Sequence, residues 1–598
     1  MAPLLRILRQ PVRTLPRHWA RYISSQPEPE FQPIRRSGTK IATLLGVFAA
    51  SGAGVLFAYP RLFPKETSDS IPPKGPQRAE IIFEKPHKKL HTKEETREDI
   101  SPQHVQVKHS WEHPGVYAWG SNAGKVVAPE SKETVVKSPR RIKYFDGQIL
   151  RDLKLDSQFG VAVNEQGDLV QWGAGYCKEE PGPRVTLKGK DLRKVAISKD
   201  RIIALGGDGK VYSIPVSKAD QELGEKPKES GKSLLGSIWN NTSEHPLNYR
   251  LLKPSSLGLN EKVVDVQSGL EHCLLLTSKG RVFSAAASSE AFPSRGQLGV
   301  PGLTWETRPQ GVPYDTPHEV KGLEGLKITA IAAGDYHSLA LDSTGRAFAF
   351  GDNTFGQLGV EPEGGVYSVD APVIVPLAQR YEHSNQVPKI TSIAAGGGNS
   401  FFTVDAIPKE KSSSKNPSSV TTDLWSCGSG LRGTLGTGKF AHMSPTLTKI
   451  KSLSNLTEYD ESLNRLVPIR IASVSVGSDH AAAVLGNKTH LTASASTPVS
   501  DTNFGADVLW WGGNEHYQLG TGKRNNVAIP VHIAPLDGER FEKGVPAQGG
   551  GDVKAGELRQ RLQITPRTKV KIGEKGREVS VEQKVICGRG VSGVYSAA

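Results

Sequence analysis

Two short phrases alternate along most of this sequence, and a chain built from one recurring unit must fold so that the unit packs against copies of itself. The first phrase is an aromatic run ending in a turn: "GVYAWGSN" (115–122), "GDLVQWGAG" (167–175), "GKVYSIP" (209–215), "GRVFSAA" (280–286), "GRAFAFGDN" (345–353), "DLWSCGSG" (423–430) and "DVLWWGGN" (507–514). The second is a run of small residues, a turn and another run: "LKLDSQFGVAV" (153–163), "RKVAISKDRIIAL" (193–205), "VVDVQSGLEHCLLL" (263–276), "ITAIAAGDYHSLAL" (328–341), "ITSIAAGGGNSFFTV" (390–404), "IASVSVGSDHAAAV" (471–484) and "KVICGRGVSGVYS" (584–596). Each phrase occurs seven times. With Gly120, Gly173, Pro215, Ala286, Gly351, Gly428 and Gly512 as equivalent points, the spacings are 53, 42, 71, 65, 77 and 84 residues. Fixed motifs at variable spacing are what loop insertions into a constant unit produce.

Local chemistry says what the unit is. Residues in "ITAIAAG", "HSLALD" and "RAFAFG" alternate with period two, as half-buried strands do. "DSTG" (342–345) puts Asp first and Gly last, which suits a type I hairpin turn. Small antiparallel sheets repeated radially make a β-propeller, which protects most of its strand edges. The last copy lacks its aromatic strand and the first aromatic strand lacks a preceding copy. The C-terminal "GVYS" and the N-terminal "GVYAWG" are therefore expected to complete one blade and close the ring. A stacked solenoid would want polar caps instead. The expected fold is all-β, a seven-bladed propeller over residues 112–598.

Composition narrows the function classes. None of the four cysteines stands in a C-x-x-C pair or beside clustered His, so neither a zinc site nor a disulfide framework is predicted, and buried thiols are. The net charge of +14 suggests nucleic acid, but residues 1–110 hold 18 Lys/Arg against 10 Asp/Glu. That leaves +6 for the remainder, with no basic stripe interleaved with aromatics. No nucleic-acid partner, small-molecule substrate, cofactor or metal is expected. The pair His87 and His91 reads as part of a polar linker.

The first hundred residues read as an address and an anchor. Arg6, Arg9, Arg13, Arg17 and Arg21 precede the first acidic residue, Glu28, and sit beside Leu4, Leu5, Ile7 and Leu8. Arg-rich, acid-free and amphipathic is the composition of a mitochondrial transit peptide, expected over 1–25. Residues 41–59, "IATLLGVFAASGAGVLFAY", carry no charge over 19 residues. A helix of that length matches the hydrocarbon thickness of a bilayer, so 41–60 is predicted to cross a membrane once. Residues 61–111, with mixed charge and prolines, are read as a polar linker. Positive residues flank both ends of the span, so charge does not orient it. Arrest behind a presequence favours the intermembrane space for the propeller over the matrix.

The phrases "AGDYHSLAL", "AFGDNTFGQLG" and "WGGNEHYQLGTG" resemble the regulator-of-chromosome-condensation repeat, over about residues 112–598. The G-x-x-H element is complete at His272, His337 and His480, with Asn399 in its place once. Its glycines are Gly269, Gly334, Gly396 and Gly477. The aromatic phrase supplies Trp119–Gly120, Trp172–Gly173, Gly351, Gly428 and Trp511–Gly512. A catalytic base is needed once per site, not once per blade, and in this family the repeated histidine looks like a structural hydrogen-bonding residue. "GTLGTGKF" (433–440) has the glycine and lysine spacing of a phosphate loop, but Phe440 stands where Ser or Thr must hold Mg²⁺. The same wording recurs in "YQLGTGKR" (517–524), so it reads as a turn of the repeat. No catalytic motif remains, and no enzyme is expected.

The founding member of this family is a chromatin-bound nucleotide-exchange factor for the GTPase Ran, a job at odds with the address and anchor. Presequence, early span and propeller together are similar to a fungal inner-membrane member implicated in assembly of respiratory complex III. The resemblance implies a non-enzymatic assembly factor in the mitochondrial inner membrane that holds complex III subunits or intermediates through propeller loops. The alternative is a nucleotide-exchange factor for a mitochondrial GTPase. The insertion "PKEKSSSKNPSSVTT" (408–422) reads as a tolerated loop.

Overall fold

Period-two alternation in the copy around His337 becomes four neighbouring strands, Ile328–Ala333, His337–Asp342, Ala347–Asp352 and Ser368–Ile374, joined in that order. The "DSTG" turn closes with Gly345 N–H donating to Asp342 O at 3.2 Å, while Asp342 Oδ1 accepts from the Thr344 and Arg346 amides. Asp at the first turn position thus satisfies backbone donors that the hairpin leaves free. This computed structural model describes residues 102–224, 226–227, 247–362, 364–365, 367–409, 420–461, 463–491, 502–536, 561–572 and 577–598. All of them belong to the unit Lys89–Ala598.

The same four-strand order recurs around the other copies, giving an all-β propeller. In one larger sheet the N- and C-terminal strands meet. Val116–Ser121 pairs antiparallel with Val591–Ala597, from Val116 opposite Tyr595 to Gly120 opposite Val591, and Arg577–Cys587 flanks the latter. A single parallel pair, Leu150 opposite Ala597, joins that blade to the next. The innermost strands are Leu150–Leu155, Leu192–Ile197, Val263–Ser268, Ile328–Ala333, Gln386–Gly396, Ile471–Val476 and Arg577–Cys587. Each touches the next in this order and the last touches the first, so they surround an axis. The apolar core lies between blades. Phe350, Ile331 and Leu274 share one cluster, and Trp511, Phe401 and Leu424 another. Burying each such side chain contributes about 1.5–3 kcal/mol.

The expected presequence (1–25), the span (41–60) and His87 and His91 lie outside the described residues. Among the described residues no helix is long and apolar enough to cross a membrane. The end of the stretch read as a linker is a correction: Pro102–Glu112 forms a helix, α1. Val107 on it is fully buried, Gln106 Nε2 donates to Arg561 O at 3.1 Å, and Ser110 hydrogen-bonds Thr565. A distant segment thus orders residues whose own pattern is not amphipathic. The insertion read over 408–422 is shorter than expected, because residue 408 and residues 421–422 end the paired strands Asn399–Pro408 and Thr421–Gly430. Cys273 and Cys427 are buried, whereas Cys177 and Cys587 are half-buried, contrary to the reading of all four as buried.

Candidate functional site

Each G-x-x-H copy ends an inner strand, turns, and begins the next strand. Its two middle residues therefore stand at one mouth of the axial opening. Here neighbouring turns are stitched by backbone bonds. Lys199 N–H donates to Leu270 O (3.0 Å), Leu270 N–H to Asp335 O (3.0 Å), Asp335 N–H to Gly397 O (2.8 Å) and Ser478 N–H to Gly588 O (3.2 Å). This stitching explains the repeated glycine. A Cβ on Gly334 would lie 2.8 Å from Gly397 O and still closer to the His337 ring. Gly269, Gly396 and Gly477 face the carbonyls of Gly334, Val476 and Gly588 in the same way.

The histidines are buried and bridge blades. His272 Nε2 lies 2.8 Å from Ser338 Oγ, His337 Nε2 2.9 Å from Ser400 Oγ, and His480 Nε2 2.7 Å from Ser592 Oγ. Each serine is in the next blade and donates its own proton, to Gln297 O (2.9 Å), Gln357 O (2.6 Å) and Gln518 O (2.6 Å) respectively. A hydroxyl that donates to a carbonyl meets the imidazole as acceptor, so the proton of each ring belongs on Nε2. Burial pushes His272 down to about 3 and His337 down to about 4. Both rings are neutral at physiological pH and use their one N–H on structure. His480 differs. Burial opposes its charge, but Cys587 and Asp479, whose Oδ1 is 3.5 Å from Nδ1, outweigh it and hold the ring up to about 9.

The tryptophans do similar work. Trp119 Nε1 donates to Gln518 O (2.9 Å), Trp172 Nε1 to Val126 O (2.9 Å) and Trp511 Nε1 to Thr434 O (2.7 Å). The glycine of the same phrase has φ near +110° in Gly120, Gly351 and Gly512, with Gly173 at +101° and Gly428 at +115°, values that favour glycine. The phosphate-loop lookalike leads into the strand Ala441–Lys449, not a helix, and Lys439 is exposed. Sequence reasoning found these positions, but the structure places them in the seams between blades and does not converge them on one centre.

What remains open is the axis and its mouth. The inner strands enclose a cavity of about 950 Å³. Small side chains, Ala196, Ala332, Ala394 and Ser475, line it together with the longer Lys154 and Gln267. Across the mouth reaches Arg589, which the sequence reading missed. Its Nη2 lies 3.0 and 3.1 Å from the two oxygens of Asp335, and its Nε 3.6 Å from Asp156 Oδ2. The only sequence signal was an arginine inside the turn "GRG" of the last copy. Among the described residues, no group of three His, Cys, Asp or Glu is arranged to hold a metal ion.

Strand order and seams together define a repeat-built propeller whose recurring side chains join one blade to the next. The chain carries regulator of chromosome condensation (RCC1) repeats: that repeat matches residues 294–341, 344–403 and 506–546, and a second form of it matches 328–357. The chain is similar to Protein FMP25, mitochondrial, of Saccharomyces cerevisiae, at 26% identity over 71% of this chain and 66% of the yeast protein. It is similar to RCC1 domain-containing protein RUG3, mitochondrial, of Arabidopsis thaliana, at 26% identity over 61% of this chain and 71% of that one. A third relative is the secretion-regulating guanine nucleotide exchange factor of Mus musculus, at 25% identity over 70% and 79% of the two chains. The crystal structure of Prp20p from Saccharomyces cerevisiae aligns at 18% identity over 84% of this chain and 94% of that one, with a TM-score of 0.49. The propeller is established by its strand order, not by this likeness.

Proposed function

We propose that this chain is a mitochondrial scaffold, a seven-bladed propeller that binds protein clients through its loops and serves assembly of respiratory complex III. The observation that carries the scaffold reading is the use of the recurring polar side chains. His272 and His337 are neutral, buried and committed to the next blade, so they supply no proton to a substrate. Mitochondrial placement rests on the Arg-rich, acid-free residues 1–25 and on two relatives whose names carry that location. The uncharged run at 41–59 supports a single inner-membrane span, and its place behind the presequence favours the intermembrane space over the matrix for the propeller. Complex III comes from resemblance in layout.

A second reading, nucleotide exchange on a mitochondrial GTPase, is favoured by the similarity to a secretion-regulating exchange factor. Native gels of mitochondrial membranes from cells lacking this protein, probed for complexes III, IV and V and the ribosome, separate the two. A complex III subassembly that accumulates alone supports the scaffold. Intact respiratory complexes sink it and move the question to nucleotide-release assays.

A further inference from the structure

The mouth of the propeller is notched at one blade. In the other copies at least one middle residue of the inner turn carries a side chain: Ser157–Gln158, Lys199–Asp200, Leu270–Glu271, Asp335–Tyr336, Ser478–Asp479 and Arg589–Gly590. The Asn399 copy has Gly397–Gly398 and no side chain at either. The gap opens a depression of about 490 Å³. Gly397, Gly398 and Ser429 line it, with Phe355 and Leu431 as its apolar lining. Leu431 is 55% exposed.

The two glycines are not alike. Gly397 has φ +52° and its Cβ would overlap the Ser478 carbonyl, so the backbone demands glycine. Gly398 lies outside the left-handed region. A Cβ there would find Phe355 Cδ2 at 3.3 Å and Ser429 Cβ at 3.9 Å, a fit that needs a few tenths of an ångström from one ring. Equivalent positions hold Glu271, Tyr336 and Asp479. Nothing in the fold requires position 398 to be empty, and its emptiness makes the notch.

Charge decides what fits. Arg589 is already held by Asp335 and Asp156. Arg432 is held by Asp479 (2.6 Å) and Glu515 (3.2 Å). An anion entering here would have to break those pairs. A cation meets spare acceptor capacity instead. Asp335 is engaged by a single arginine nitrogen and Glu515 through Oε2, whereas Asp479 is already taken up by Arg432, Ser478, Gln518 and His480, so Asp335 and Glu515 supply the free lone pairs. The Phe355 and Leu431 walls suit an aliphatic stem beneath a charged head.

We propose that this notch receives a lysine or arginine side chain presented by a protein partner, which deepens and rests on the scaffold reading. The test uses the full chain in detergent, with ligand-observed NMR titration of N-acetyl-arginine methylamide and its uncharged isostere N-acetyl-citrulline methylamide. One solvent-facing charge contact predicts millimolar binding of the arginine probe, roughly tenfold tighter than citrulline, and weaker at high salt. Gly398→Tyr, the side chain of the neighbouring blade, is expected to reduce arginine binding at least several-fold with an unchanged melting temperature. Should that variant fold poorly, Glu515→Gln on the exposed rim decides by the same loss. Equal binding of citrulline, retained binding in well-folded Gly398→Tyr, or inorganic phosphate competing for the site each overturns the proposal. The gel and the titration fail separately: intact complex III with a working notch removes the assembly role alone, and a stalled complex III with no arginine binding removes the notch alone.

Discussion

His337 carries the repeat's demand on a single side chain. Its Nε2–H reaches Ser400 across a blade boundary, and Ser400 hands its own proton to Gln357 O. His337→Ala leaves a void and an unpaired acceptor in a fully buried seam, and should cost about 3 kcal/mol by denaturant titration. Asparagine should restore little of this, because in its natural copy Asn399 Nδ2 bonds Ser429 O of its own blade at 2.6 Å. A cost under about 1 kcal/mol would show that the seam does not depend on the imidazole. The same burial sets a pH dependence. His272 and His337 fall to about 3 and about 4 in the fold, so stability is complete above the unfolded value near 6.5 and declines as pH drops from there towards 4. The slope is about 1.4 kcal/mol per pH unit for each ring. His480 runs the other way: raised to about 9, it contributes fully below 6.5 and is lost as pH rises through 9. Asp479→Asn should make that alkaline limb shallower, and Asp479→Asn combined with Cys587→Ser should remove it, in melts between pH 4 and 10 while leaving the acid limb. A wild type with no alkaline limb would mean His480 is neutral.

At the scale of the strand and its turn, two glycines give opposite expectations. Gly351 sits at a bulge with φ +112°, where a Cβ would lie 2.6 Å from Tyr336 O. Gly351→Ala must shift backbone and should cost about 2–4 kcal/mol. Gly398→Ala should fall within about 0.5 kcal/mol of wild type. Thermal melts of the pair check both, and equal losses would mean that Gly398 is structural. Much at this scale was legible. Period-two runs announced the strands, and "DSTG" announced its turn. The serines that complete the histidine bridges went unread, although a signal was there: Ser338, Ser400 and Ser592 each follow the last residue of a G-x-x-H slot. What else local reading missed depends on partners far along the chain. Helix α1 is polar on most sides, with its hold on Arg561 and Thr565 about 455 residues away. Arg589 acquires its meaning from Asp335, 254 residues earlier. The notch exists because Phe355, Gly398 and Glu515 come from separate copies that only the ring brings together.

At the scale of the whole molecule, closure distinguishes a ring from a row. In an open array each repeat is supported by its neighbours alone, and the end repeats melt first. Here residues 591–597 remove both ends at once: they pair with Val116–Gly120 on one side and with Glu582–Cys587 on the other. Ser592 also accepts from His480 and donates to Gln518 O, the carbonyl that receives the Trp119 indole. Truncation after Cys587 therefore exposes two strand edges and strips hydrogen-bond partners from the His480 blade. We expect the truncated chain to unfold in more than one step, beginning well below the intact protein, with early proteolysis between residues 112 and 150. Trp119→Phe separates closure from side-chain loss, since it keeps both strands and deletes one buried indole bond, a cost of about 1–2 kcal/mol. If truncation were no worse than Trp119→Phe by calorimetry, the terminal strands would be ornament on a self-sufficient row of blades. A loss far beyond it would mean that the stability of each blade, and with it the shape of the mouth, depends on the ring being shut.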